Sequence, residues 1–438
     1  MITGLRRIPI GKLLLAILPA FSVTGAEPKL GALLNEFLSR SDDLQKVRLG
    51  TQSQEAASRE TFSGILPQVT AGYNLAKLDH SRPRKETFAL EATQPLFQGF
   101  SEYRRLQRAR HFLAAAREGE RDSEAILRFS FARLLLTRLH QEEKRKILAK
   151  SMTILARRSS ELQRQKSIGK SRPTDLWQND LDKLQLERDF ERNERQAEST
   201  QRSIESLLKR GFNPSEVGNL ETLVRDITLL SFRRDNYQLD AQSERLYALG
   251  ALAKAERGAY WPQLGAYGVY YPYARGSSRG LEDTWELGLR ISWTLFEGFR
   301  TGSRVAQANL ARQSLEADQR TTLRVRQLEK EELQNFEDAL TADEDRLLAA
   351  RKLATQSIQY NERDYRLGLV TSLEVLASLQ KFLQVEISYI DFLVDKAEVA
   401  LRHTVGGASV GGASLESIAT SGRTNGAGSA TVARSEGG

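Results

Sequence analysis

Two halves of this 438-residue chain resemble each other at a nearly constant offset. The segment LFQGF at residues 96–100 returns as LFEGF at residues 295–299, and LQLE at residues 184–187 returns as LQVE at residues 383–386. Such self-similarity indicates that one structural unit occurs twice. The pattern divides the chain into three segments: a first copy at residues 27–210, a connector at 211–234 and a second copy at 235–408.

Each copy contains two segments in which apolar and polar residues alternate, which is the period of a β-strand. The clearest runs from Trp285 to Leu295, whereas the face that the strand after Pro262 presents is ambiguous. Strands of about 10–12 residues with aromatic residues near their ends are typical of transmembrane β-strands. The alternative is a soluble sheet with one face on a core, but only highly charged helices remain to cover such a face.

Four strands are too few to close a barrel, because known barrels begin at about eight. Unpaired strand edges cannot lie in lipid, where each unsatisfied backbone group costs several kcal/mol. The strand pattern therefore predicts an oligomer in which several chains share one barrel.

Long helical stretches follow the strand pairs at residues 99–168 and 298–367, and neither contains an internal Pro. At 1.5 Å per residue each would reach about 100 Å. Leu148, Leu155 and Leu162 are spaced by seven, which is typical of a coiled-coil seam. We therefore expect a mixed α and β membrane protein, in which long antiparallel helical hairpins extend from the strands.

In each of the two hairpins, one short turn would join the two helices. Gly169 and Gly368 suit the left-handed conformation that ends many helices. Thr371 and Glu374 fit a capping box, as N-cap and N3 residues, and Asp175 would complement the dipole of the returning helix. The alternative role for Glu374 is functional, because one carboxylate per chain would form a ring that favours cations at the mouth of a tube.

The two ends of the chain differ in composition from the rest. Residues 1–26 place Arg6, Arg7 and Lys12 around the start of a short apolar run, the pattern of a secretory signal peptide. Residues 409–438 are rich in Gly, Ser and Ala, which predicts a disordered tail. The net charge of +8 does not favour a nucleic-acid partner, because the basic residues are interspersed with acidic ones along the helices.

The sequence contains no recognisable catalytic or metal-binding motif. There is no Cys, which excludes disulfides, thiolate metal sites and a lipid-anchored Cys. The four His are widely spaced, and no Gly-x-Ser-x-Gly segment occurs. We therefore expect neither an enzyme nor a cofactor.

Three segments carry a resemblance to a known family: residues 255–264 (AERGAYWPQL), 295–299 (LFEGF) and 365–376 (YRLGLVTSLEVL). Their order and spacing resemble those of the TolC-type outer-membrane efflux and secretion ducts of Gram-negative bacteria, over most of residues 27–408. The resemblance implies a homotrimer with a 12-stranded transmembrane β-barrel, four strands from each chain, in outer-membrane lipid. Below it, the helices would form an α-barrel that extends into the periplasm.

The resemblance also implies partners and site residues. A periplasmic adaptor would link the duct to an inner-membrane pump of RND, ABC or MFS type. Tyr365 and Asp175 are similar by position to residues that tie the closed periplasmic end together, and Glu374 to an acidic constriction ring. The residues implied to contact the adaptor lie in the two turns: Gly169, Lys170, Gly368, Leu369, Val370 and Thr371.

Two positions depart from the pattern of the family. Val370 stands where some members have a gating Arg, and Ala377 stands where some have a second acidic ring. The closed end is therefore expected to be either looser or held by different contacts here.

The functional expectation is a trimeric outer-membrane channel that passively conducts substrates from adaptor and pump to the exterior, in drug efflux or type I protein secretion. The alternative is a non-conducting periplasmic coiled-coil scaffold. The cargo, whether drug, metal or protein, depends on the pump and is not encoded in recognisable residues.

Overall fold

The computed structural model describes residues 29–76, 85–169, 172–229, 236–275 and 284–405. The predicted signal peptide at residues 1–26, the predicted tail at 409–438 and Lys170 lie outside the described residues.

The described residues form eight α-helices, four β-strands and two short 3-10 turns at Pro214–Glu216 and Gly258–Tyr260. The helices are α1 (Lys29–Arg40), α2 (Asp42–Ser63), α3 (Ser101–Ser167), α4 (Pro173–Leu208), α5 (Leu220–Leu229), α6 (Tyr237–Arg257), α7 (Arg300–Arg366) and α8 (Ser372–Val405). The strands are β1 (Gln68–Ala76), β2 (Lys85–Gln98), β3 (Gln263–Arg275) and β4 (Thr284–Ser292). In both halves a helix precedes two strands, and two long helices follow them.

The strands form one antiparallel sheet in the order β1-β2-β3-β4. Leu264 lies opposite Ile291, and Tyr270 lies opposite Trp285. Since opposite residues share a face, this register places Leu264, Ala266 and Tyr270 on the apolar face of β4. Val269 lies opposite Glu286 and therefore on the other face, which resolves the ambiguous facing of β3.

The prediction of a strand from Trp285 to Leu295 was too long, because β4 ends at Ser292. The backbone turns sharply just beyond it, where Gly298 and Phe299 both have positive φ angles of about 61° and 65°. The Trp293 indole Nε1 donates a hydrogen bond to the Tyr260 carbonyl oxygen at 3.1 Å. The chain thus leaves the ladder several residues before α7 begins at Arg300.

Two prolines lie at irregularities between β2 and β3. One register shift lies between Pro95 and Phe97 of β2. The other lies between Phe88 and Leu90, whose partners Tyr273 and Tyr270 lie on either side of Pro272 in β3. Proline has no N–H group to donate to a ladder, so bulges are where a strand tolerates it.

The two long helices have the predicted extents, since α3 and α7 each contain 67 residues and begin and end within two residues of the expected bounds. Next to the sheet, neighbouring helices pack in the order α2-α3-α6-α7, and farther away in the order α4-α3-α8-α7. No helix among the described residues is long and apolar enough to cross a membrane.

Two apolar clusters hold the helices together. In the first, Phe37 of α1 stacks on Phe131 of α3 with ring centroids 4.3 Å apart, beside residues of α4, α5 and α8. The second lies nearer the turns and joins Leu148 and Leu155 of α3 to residues of α4, α7 and α8. The predicted seam of α3 is therefore buried along its length, Leu162 included.

Candidate functional site

The turn between α7 and α8 is built by Gly368. Its φ angle is +76°, a conformation that costs an L-residue about 1–2 kcal/mol. The Gly368 amide donates to the Tyr365 carbonyl at 3.0 Å, and the Leu369 amide donates to the Asp364 carbonyl at 2.9 Å. These two bonds form a Schellman motif, and Gly169, with φ +72°, ends α3 in a similar way.

The predicted capping box is present at the start of α8. The Thr371 amide donates to Glu374 Oε2 at 2.7 Å, and the Glu374 amide donates to Thr371 Oγ1 at 3.4 Å. Two amides that a helix terminus leaves without partners are thereby satisfied. The Glu374 side chain is exposed, so its charge also reaches solvent at the end of the hairpin.

Tyr365, in the last turn of α7, contacts α3 through both its hydroxyl and its ring. The hydroxyl donates to Gln165 Oε1 at 2.8 Å. The Arg158 guanidinium lies over the ring, 3.7 Å from its centroid. Only 7% of Arg158 is exposed, and its buried Nη2 has no hydrogen-bond acceptor among the described residues. Burial lowers the pKa of Arg158, an effect that the nearby Tyr365 and acidic groups oppose.

Asp175 lies in the first turn of α4 and is half-buried. Its negative charge is near enough to Arg158 to oppose the lowering of that pKa. No hydrogen bond joins Asp175 to Tyr365 in the described part of the chain; the tyrosine uses Gln165 instead. The structure thus gathers Tyr365 and Asp175 around Arg158, a residue that sequence reasoning missed. The sequence signal that could have identified Arg158 is its position in the predicted coiled-coil seam of α3, where an apolar residue is expected.

Exposed apolar side chains surround the two turns. Leu369 is 72% exposed, and the other three are also exposed: Ile168, Leu367 and Leu373. Each flanks a glycine turn or a helix start, where a solvated loop would carry polar residues. Sequence reasoning missed all except Leu369, although apolar residues beside a capping glycine are a visible signal.

The four-stranded sheet separates apolar from polar residues between its faces. On the apolar face of β4, Trp285, Leu287 and Ile291 are 71–73% exposed. The polar face carries Glu286 and Arg290, which contact the Tyr267 side chain: the Tyr267 hydroxyl donates to Glu286 Oε1 at 2.8 Å, and Arg290 lies over its ring.

Both lateral edges of the described part of the chain are open. Within the described residues, β1 and β4 each pair on one side alone. α7 buries few residues along its length, and α4 exposes an apolar stripe at helical spacing. The stripe on α4 consists of Trp177, Leu181 and Leu184.

Among the described residues, no group of His, Asp and Glu is arranged to hold a metal ion.

A protein-family model described as outer membrane efflux protein matches residues 231–407. This match spans nearly all of the second predicted copy. A search of curated protein sequences found no match to the chain. The matched family consists of channels rather than enzymes.

Solved structures of three outer-membrane proteins, two of them described as channels, share the fold. VceC of Vibrio cholerae is 16% identical with a TM-score of 0.74, over 86% of this chain and 96% of that chain. MtrE of Neisseria gonorrhoeae is 15% identical with a TM-score of 0.74, over 87% of this chain and 89% of that chain. CmeC of Campylobacter jejuni is 13% identical with a TM-score of 0.73, over 90% of this chain and 89% of that chain. This likeness establishes the fold, with its long helical hairpins and four strands.

Proposed function

We propose that the chain is a subunit of a trimeric outer-membrane channel, a proposal supported by the outer membrane efflux protein model that matches residues 231–407. The channel passively conducts substrates that a periplasmic adaptor and an inner-membrane pump deliver, and releases them outside the cell. The helices extend into the periplasm, and the sheet lies in the outer membrane.

The exposed apolar face of the sheet is the observation that carries this proposal. Leu287 and Ile291 are each about three-quarters exposed on β4. Burying one such side chain in lipid contributes about 1.5–3 kcal/mol. A membrane therefore explains a face that water does not favour, and the polar face with Glu286 and Arg290 suits a water-filled interior.

The unpaired edges support a ring of chains. Open strand edges are not tolerated in lipid, so the β1 edge of one subunit needs the β4 edge of another. These edges are different surfaces, and such head-to-tail contacts form a ring when the rotation between neighbouring subunits closes. Three subunits give the 12 strands that the family resemblance implies. The stripe on α4 and the exposed side of α7 would be covered by the same contact.

The hairpin turns form the periplasmic end of this channel. Tyr365, Gln165 and Arg158 fasten the end of α7 to α3, which holds one hairpin against the other. Asp175 acts through its charge on Arg158, and Glu374 supplies one carboxylate per subunit to a ring at the opening. Val370 packs against the apolar cluster near the turns rather than supplying the gating Arg of some relatives.

The exposed apolar side chains around Gly169 and Gly368 are the surface for the adaptor. Leu369 and Leu373 are largely exposed at this end. An apolar centre with polar surroundings is typical of a protein contact. Drug efflux and type I protein secretion both fit, because the channel conducts what its pump delivers.

Single-particle imaging of detergent-extracted protein tests the proposal. We expect a hollow threefold particle with a helical tube on the order of 100 Å long. In planar bilayers the same preparation should conduct ions. A solid or monomeric particle without conductance would contradict the channel and favour the coiled-coil scaffold.

A further inference from the structure

A polar cavity of about 540 Å³ lies where the sheet meets the long helices. The last turn of α6 and the 3-10 turn after it, with Glu256 and Ala259, border the cavity. Arg105 of α3 lines it together with Arg300 and Arg304 of α7. Three exposed arginines from two helices about 200 residues apart in sequence thus line one cavity.

The basic charge of this cavity is only partly neutralised. Arg300 Nη1 lies 3.8 Å from Glu297 Oε2, and the arginine side chain is exposed. An ion pair with this separation and exposure contributes little. Arg105 and Arg304 have no ion-pair partner within the described ranges. Glu297 also accepts a hydrogen bond from Thr301 Oγ1 at 2.9 Å. The lining thus carries three guanidinium groups against two carboxylates, those of Glu256 and Glu297. An excess of arginine over carboxylate favours an anionic oxygen group.

The helix starts add to the same field. α3 and α7 both begin at the cavity, and their N-cap residues Phe100 and Phe299 make no side-chain capping hydrogen bond. The positive ends of both helix dipoles therefore reinforce the arginines. This contribution is secondary, because the side chains alone set the sign of the charge.

The cavity opens on the polar face of the sheet. Gln98 and Gln263, which lie opposite each other in the β2–β3 ladder, are both part of its lining. Gln263 is also opposite Ser292, in the same alternation as Glu286 and Arg290. If the apolar face contacts lipid, the cavity therefore faces the water-filled interior.

We propose that Arg105, Arg300 and Arg304 form a binding site for anionic oxygen groups, phosphate or carboxylate, of solutes inside the channel. The inference rests on the proposed function, because it takes the polar face to line the interior. Repeated in each subunit, the site forms a basic ring between the sheet and the helical tube. It would attract anions at one level, whereas a Glu374 ring would attract cations at the other end.

Bilayer recordings in neutral phosphatidylcholine test this site with inorganic pyrophosphate as the probe. In the variant Arg105→Gln/Arg300→Gln/Arg304→Gln, the chloride-to-potassium permeability ratio should fall at least about twofold. The pyrophosphate concentration for half-maximal block should rise about tenfold, since charge-assisted hydrogen bonds are lost. Glu256→Gln removes a negative charge from the lining and should shift the permeability ratio in the opposite direction.

A matched control removes three charges elsewhere. Arg188, Arg195 and Arg202 of α4 are exposed and pair with acidic neighbours on the same helix. Their triple replacement by Gln should leave the half-blocking concentration unchanged. An equal effect of this control, or no effect of the cavity variant, would overturn the site.

Two further arms separate the remaining explanations. If the arginine variant differs only in bilayers that contain phosphatidylglycerol, the arginines bind lipid phosphate and the proposal is wrong. Calorimetric titration of the detergent-purified protein with pyrophosphate does not need conductance. Weaker binding by the cavity variant supports the site even without a channel, whereas equal binding by both proteins overturns it. Absence of conductance in the wild type would instead count against the proposed function.

Discussion

The Arg158 guanidinium lies 3.7 Å from the centroid of the Tyr365 ring and joins the last turn of α7 to α3. A buried guanidinium over an aromatic face can contribute about 2 kcal/mol when it is desolvated. The Tyr365 hydroxyl adds a hydrogen bond to Gln165 on α3. Two separate contacts thus hold the same point of α7, and both must break if the hairpins move apart.

Replacing Arg158 should loosen the proposed periplasmic end, where the hairpin turns lie. Arg158→Met keeps an elongated side chain but removes the charge over the ring, so we expect a several-fold higher leak conductance in planar bilayers. Tyr365→Phe removes only the hydroxyl and should have a smaller effect. Arg157→Gln, at the exposed neighbouring position, is the control. Conductance equal to that of the wild type in a correctly assembled Arg158 variant would assign the stack a purely structural role.

The two roles of Glu374 can be separated by two substitutions. Thr371→Ala removes the N-cap oxygen but keeps the charge, so it should destabilise the turn by about 1 kcal/mol without altering ion selectivity. Glu374→Gln keeps a side chain that can complete the capping box, and it removes the charge. It should reduce the preference for cations and leave the melting temperature nearly unchanged. Unaltered selectivity in Glu374→Gln would leave capping as the sole role.

A charged residue on the apolar face of the sheet should reduce assembly in the membrane. Leu289 is exposed on β4 between Leu287 and Ile291, and an Arg on a lipid-facing strand costs about 2–4 kcal/mol near the bilayer centre. Leu289→Arg should therefore lower the amount of assembled protein in the outer membrane, measured by heat-resistant oligomer on gels. Thr70→Arg lies on the polar face opposite Glu91 and is the control. Equal assembly of both variants would argue against lipid contact.

The connector is fastened by Arg210. Its guanidinium donates to Glu36 at 2.8 and 2.9 Å and to Glu216 at 2.9 and 3.2 Å. Hydrogen bonds from Arg210 lower the pKa of both carboxyl groups below the ordinary 4.5. A lowered folded-state pKa contributes stability that is fully present above the unfolded value and is lost as the pH falls through the folded value.

Arg210→Gln should therefore destabilise the protein by about 1 kcal/mol at neutral pH. The difference in melting temperature from wild type should be constant above pH 6 and shrink below about pH 4.5. Arg202→Gln removes an exposed 3.9 Å pair with Glu198 and a 3.4 Å hydrogen bond to the Glu198 carbonyl, both on α4, and should have little effect at any pH. A difference that persists at low pH would show that packing, rather than charge, accounts for the loss.

The sequence alone determined the long helices and the turns that join them. Neither α3 nor α7 contains Pro, and a glycine lies at each end of both helices. Along α3, Leu residues also recur every seven positions. These signals are local, so the sequence predicts both helices. The capping box of Thr371 and Glu374 was equally predictable, because its partners are three residues apart. Alternation predicted most of β4 but not its end at Ser292, since the chain leaves the ladder before the left-handed residues Gly298 and Phe299 that precede α7.

Contacts between distant segments were decided only by the tertiary structure. The face of β3 depends on its register with β2 and β4, which alternation within β3 does not specify. Tyr365 meets Gln165 and Arg158 because α7 ends beside α3, and nothing in the spacing of these residues says so. Arg105 and Arg300 share a cavity for the same reason. Local patterns fix what each segment becomes, because they act within a few residues, whereas packing selects which segments meet.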